Sequence, residues 1–141
     1  MLDRYRFIPL LGRILIAAPF LMSGLGKLAS YGPTTQFIAS VGLAPAPLGW
    51  LIAVLIEVGG GALVLLGLKA RGASLAMALF TLVAAVFFHR NFADQNQMIH
   101  FLKNVMMAGG LLQIAAFGAA AITIERWRHQ LPSVPGAAHL H

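Results

Sequence analysis

The chain has 141 residues, 59% of them hydrophobic and 10% charged, with a net charge of +6 and no cysteine. A mean hydropathy of +0.81 and so few charges, against about 25% in a soluble domain, read as one membrane-embedded domain rather than a water-soluble enzyme. The basic residues fall singly at segment ends without forming a stripe, which argues against nucleic acid as a partner. The missing thiols exclude disulfides, CxxC redox chemistry and sulfur-ligated metals.

Four apolar segments approach the ~20 residues that a helix needs to cross a bilayer, at about 9–28, 46–68, 72–88 and 101–124. They predict an all-α integral membrane four-helix bundle over residues 1–130, with a flexible polar tail at 131–141. The first segment has a signal-peptide-like apolar run, Ile14 to Met22. Arg13 precedes that run and no A-x-A-like site follows it, so the segment is expected to stay as a span. Ser23 and Lys27 share one face near its end, with Gly24 beside them, and Arg13 lies about 40° from that face. The link from Ala29 to Pro45, carrying Tyr31-Gly32-Pro33, reads as a connection.

The second segment places Glu57 at the centre of an apolar run from Ala46 to Leu68. An ionised acid at a helix centre costs roughly 2.5–3.5 kcal/mol on insertion scales, so Glu57 must meet a hydrogen bond, a cation or a ligand rather than lipid. Trp50, Ala53, Val54, Glu57, Gly60, Gly61 and Val64 share its face. Lys69-Ala70-Arg71 is a tight link, which makes the second and third helices antiparallel neighbours. The third segment ends at His89 and Arg90, and the fourth begins with Lys103-Asn104. Gly59-Gly60-Gly61 and Gly109-Gly110 are the sites where helices should approach most closely.

Lysines and arginines concentrate at the amino end, the Lys69–Arg71 link and the carboxyl end, which predicts both termini in the cytoplasm. In that orientation Lys27, Glu57, His89, Lys103 and Asn104 converge in the outer half of the bilayer. Glu57 reads either as a proton acceptor or as a structural acid paired with Lys27, Lys103 or His89. His89 reads as a relay or as a wetted boundary histidine. Asn104 reads as a ligand contact or as a partner for backbone groups at a helix end. Trp50 reads as a stacking platform or an aromatic-belt residue, and Arg13 and Arg90 as interface anchors. No functional metal is expected, because His89, Asp94 and His100 lack helical ligand spacing.

Phe20-Leu21-x-Ser23-Gly24-x-x-Lys27, Glu57-x-Gly59-Gly60, Phe88-His89 and Phe101-Leu102-Lys103-Asn104 with Gly109-Gly110, in this order over about residues 9–124, resemble the DoxX family of small bacterial membrane proteins. The resemblance implies a four-helix bundle in the bacterial inner membrane. It also implies a link to respiratory or redox-stress chemistry, since the family includes a small subunit of thiosulfate:quinone oxidoreductase. A weaker likeness in fold to vitamin K epoxide reductase carries none of that enzyme's chemistry here, for want of cysteines.

Three functions follow as expectations. The first is a quinone- or redox-linked membrane subunit working with a partner enzyme. In it Glu57 accepts a proton, and Ser23, Lys27, Trp50, His89, Lys103 and Asn104 bind the ligand. Nothing is held covalently, quinone is the candidate cofactor, and lipid and a protein partner or second copy surround the chain. The second is a non-catalytic assembly protein with a structural ion pair, and the third a small permease or proton-coupled carrier.

Overall fold

The computed structural model describes residues 5–119 together with 123 and 127. Among these residues six α-helices follow one another: α1 Phe7–Ala29, α2 Tyr31–Ser40, α3 Ala46–Val54, α4 Gly61–Leu66, α5 Ala70–Phe88 and α6 Gln95–Phe117. A π-helical turn, Leu55–Gly60, joins α3 and α4 into one rod. Four rods are long and apolar enough to cross a membrane: Phe7–Ala29, Ala46–Leu66, Ala70–Phe88 and Gln95–Phe117. The fourth helix, expected to run to about Ile124, ends at Phe117, where Gly118 takes φ +80°; the polar tail at 131–141 lies outside the described residues.

The segment expected to be a plain connection between the first two spans contains a helix instead. Gly32 and Pro33 fall in the first turn of α2, where proline costs no hydrogen bond because those N–H groups have no intrahelical acceptor. Ser30 starts the reversal, its carbonyl accepting from Thr34 N at 3.0 Å, and Gly42 at φ +86° ends it. The last span likewise begins before the expected Phe101. The Asp94 side chain accepts from Asn96 N at 2.9 Å and caps a polar first turn that hydropathy alone passes over.

The tight link after α4 is a glycine-terminated helix end. Gly67 adopts φ +71°, and Leu68 N donates to Leu63 O at 2.9 Å across it, the pattern that satisfies carbonyls left over at a helix C-terminus. Arg13 supplies the rest. It is 2% exposed, and its Nη1 donates to Val64 O at 3.3 Å and Leu65 O at 3.1 Å. The expectation of an interface anchor is therefore corrected: Arg13 serves the last turn of α4 from inside the bundle, bonding Leu65 O and sharing Val64 O with the Gly67 amide, which donates to it at 3.2 Å.

Small residues set the spacing of the rods, since lipid offers no apolar driving force between helices and close packing must substitute. The core joins Ala17, Phe20, Val64, Met77, Ala78, Ala108 and Leu111. A methyl group on Gly24 would stand 2.6 Å from Val58 Cγ2 and 3.1 Å from Val58 N, so α1 lies directly against the π turn. Gly60 faces Met77, Gly61 faces Leu21 and Gly110 faces Ile16, while Gly59 and Gly109 border open space. Each glycine cluster thus uses only the members on its packed face.

Candidate functional site: a polar cluster in an apolar cavity

The Lys27 end of the bundle encloses a cavity of about 650 Å³. Its wall is predominantly apolar, drawn from α1, α2, α3, α5 and α6, with Phe20, Phe37, Phe80, Phe87 and Phe88 supplying aromatic surface. Ser23, Lys27, Glu57, His89 and Asn104 also line it. Five of the residues singled out by depth and helical phase thus border one space.

Within that wall three side chains bond to one another. Lys27 Nζ lies 2.9 Å from Glu57 Oε2 and 3.1 Å from Oε1, and donates to Ser23 Oγ at 2.8 Å. Ser23 Oγ in turn donates to Glu57 Oε1 at 3.2 Å. Ser23 and Lys27 meet because they sit one turn apart on α1, and Gly24 between them lets the π turn carry Glu57 within reach. The π turn itself is a local widening of the helix that often accompanies functional sites. Glu57 is 7% exposed, and its lysine partner and hydroxyl donor offset the cost of burying a carboxylate.

His89 closes α5, just beyond the last residue of that span. Its ring stacks on His100 with centroids 5.1 Å apart. Partial burial, and then the neighbouring imidazole of His100, push its pKa below the ordinary 6.5. Among the described residues no three His, Cys, Asp or Glu side chains gather as a metal would require.

Two expected ligand contacts sit elsewhere. Trp50 does not line the cavity: its Nε1 donates to Lys27 O at 2.8 Å, and its ring meets Tyr31 edge-on at 4.9 Å. It serves a carbonyl in the last turn of α1 that otherwise has only the longer bond from Ser30 N at 3.3 Å. Lys103 is exposed, because one residue's rotation of about 100° separates it from Asn104 on the cavity side. Conversely, Thr81 of α5 borders the cavity, 3% exposed and without a hydrogen-bond partner among the described residues. Its position as the lone hydroxyl between Ser74 and the end of the third span was the available signal.

Fold and cavity together define a small polytopic helical membrane protein with a largely apolar cavity between its spans, into whose wall a polar cluster is set. The sequence model of the DoxX family matches residues 8–90, through the first three spans and His89, and the chain belongs to that family. It is similar to inner membrane protein YqjF of Escherichia coli K12, 37% identical over 117 residues that cover 83% of this chain and 88% of that protein. It is similar also to inner membrane protein YphA of the same organism, 36% identical over 123 residues, covering 83% and 87%. No solved structure matches it. The chain is thus an integral inner-membrane protein.

Proposed function

We infer that this protein is the ligand-binding membrane subunit of an oxidoreductase assembly and that its cavity takes a quinone. One observation carries the reading: the Ser23–Lys27–Glu57 cluster is set into the wall of an otherwise apolar, aromatic-rich cavity. Ligand sites of this kind combine a mainly hydrophobic lining with a few convergent polar groups, in volumes of roughly 300–1,000 Å³. The residues suit a quinone. Phe20, Phe80 and Phe87 offer ring faces, and the Lys27 ammonium and the Asn104 amide offer donors to a carbonyl oxygen. Glu57 can hold a proton at its carboxylate, beside Lys27, at the border of the same space.

A bound quinone supplies two-electron, two-proton exchange. The chain's own part is to orient the head group, exclude water with the aromatic wall and keep a proton-holding carboxylate at hand. With no cysteine in the chain, electrons come from a partner protein. The reading takes the Lys27 end as the extracytoplasmic one, as the distribution of basic residues favours.

A second reading makes the chain an assembly protein whose ion pair fixes helix register. It is favoured by the way Lys27, Ser23 and Glu57 satisfy one another. Equilibrium titration of the purified protein in lipid nanodiscs with decylubiquinone separates the two. The quinone reading expects saturable binding that weakens about tenfold or more in Glu57→Gln while the variant still folds. Absence of saturable binding to the wild-type protein leaves the assembly reading.

A further inference from the structure

The cavity has a side as well as an end. α3 packs on α1, α2 and the π turn, whereas α5 packs on the π turn, α4 and α6. The two helices therefore converge at the π turn and part from one another toward the Lys27 end. Leu48 and Ile52 of α3 and Val83 of α5 border the cavity along this seam. All three are also exposed on the outer surface, at 50%, 44% and 54%. They belong to spans long and apolar enough to lie in hydrocarbon, so what reaches them from outside is lipid. At the end of the seam, Phe37 of α2 stacks on Phe88 of α5 with centroids 5.1 Å apart and planes at 27°. That pair bridges the gap on the side nearer the aqueous boundary.

We propose that the seam between α3 and α5 is a lateral portal, and that the ligand is a long-tailed amphiphile that enters head first from the bilayer and leaves its tail between Leu48, Ile52 and Val83. The inference rests on the reading of the cavity as a quinone site and narrows it to tail-bearing, membrane-dissolved molecules. Volume supports the assignment. A cavity of about 650 Å³ is of the size that takes one small molecule, enough for a head group and the first part of a chain, so a long isoprenoid must extend out of it. An apolar opening lets that tail stay in hydrocarbon and spares it the cost of exposure to water, and the Phe37–Phe88 stack keeps water from the head group.

The test compares two quinones with the same head, decylubiquinone and the tail-less ubiquinone-0, on the full chain in nanodiscs. Val83→Trp fills the seam from its lipid face, and Met22→Trp, at an exposed α1 position that does not line the cavity, controls for an added surface indole. Thermal midpoints verify that both variants fold. The portal predicts that Val83→Trp slows association of decylubiquinone and weakens its binding about tenfold or more, leaves the equilibrium affinity of ubiquinone-0 unchanged, and that Met22→Trp alters neither. Equal loss for both quinones, or no loss for either, overturns the portal while leaving the cavity as the binding site. Failure of both quinones to bind the wild-type chain overturns the quinone reading and the portal with it.

Discussion

Lys27 and Glu57 are thirty positions apart in sequence, on different membrane rods, yet their charged groups approach to 2.9 Å beside Ser23. Neither partner tolerates the loss of the other. Lys27→Met leaves a buried carboxylate with one weak hydroxyl donor, and the expected cost is about 1–3 kcal/mol, the range for a buried group stripped of its partner. The double variant Lys27→Met/Glu57→Gln recovers a large part of that cost, because the amide carries no charge to desolvate. Thermal or denaturant unfolding in one fixed detergent, arranged as a double-mutant cycle, reads the coupling; strictly additive single effects would show that the contact carries no energy.

Gly24 controls whether that pair can form. Its alanine variant places a methyl group against Val58 side chain and backbone, and overpacking of this kind costs about 1–3 kcal/mol. Gly26, two residues on, has nothing within 4 Å, and Gly26→Ala is expected to be neutral or to stabilise by up to about 1 kcal/mol through helix propensity. Comparing the two melting curves isolates the close approach from any general effect of adding methyl groups to α1.

Arg13 is expected to matter for folding and not for ligand affinity. Removing its guanidinium in Arg13→Met takes the charged donor away from the carbonyls of Val64 and Leu65, at a cost of about 1.5–3 kcal/mol for hydrogen bonds to a charged donor. Arg13 does not line the cavity at the other end of the bundle. A quinone titration of the folded fraction should match wild type, and a specific loss of binding at unchanged stability contradicts this assignment.

His89 makes stability depend on pH in a fixed direction. Its folded-state pKa lies below 6.5 because of burial and then of His100. The unfolded chain therefore takes up a proton at this site at a higher pH than the folded chain does. Stability is held above pH 6.5, falls as pH drops below it, and levels off once the folded His89 is protonated too. The slope is at most about 1.4 kcal/mol per pH unit, the limit for one proton. Unfolding midpoints between pH 7.5 and 5 should fall less steeply in His89→Gln than in wild type; identical slopes refute the assignment.

How far these features could be read from sequence depends on the partner each residue uses. The spans are legible because hydrocarbon acts on every residue of a run, and the meeting of Lys27 with Glu57 follows from depth and helical phase. Arg13 and Trp50 are not legible in the same way. Their partners are backbone carbonyls at helix ends, and no side-chain pattern advertises those. Helix α2 is hidden by Gly32-Pro33, which normally signals a turn and here fills a first helical turn. The π turn is invisible too, since it depends on how Leu55–Gly60 fits between α1 and α5. Lys103 and Asn104 look equivalent as neighbours, and only the rotation of α6 separates cavity from surface.

The central claim, that an amphipathic ligand occupies the space beside Ser23, Lys27 and Glu57, is tested most directly by photolabelling in nanodiscs with an azidoquinone, followed by mass spectrometric mapping. The account predicts adducts on cavity residues such as Ile52, Ala84 and Phe87, suppressed by excess decylubiquinone and reduced in Glu57→Gln. Adducts spread over lipid-facing positions such as Leu15, Met22 and Met106, and indifferent to competitor, would contradict it.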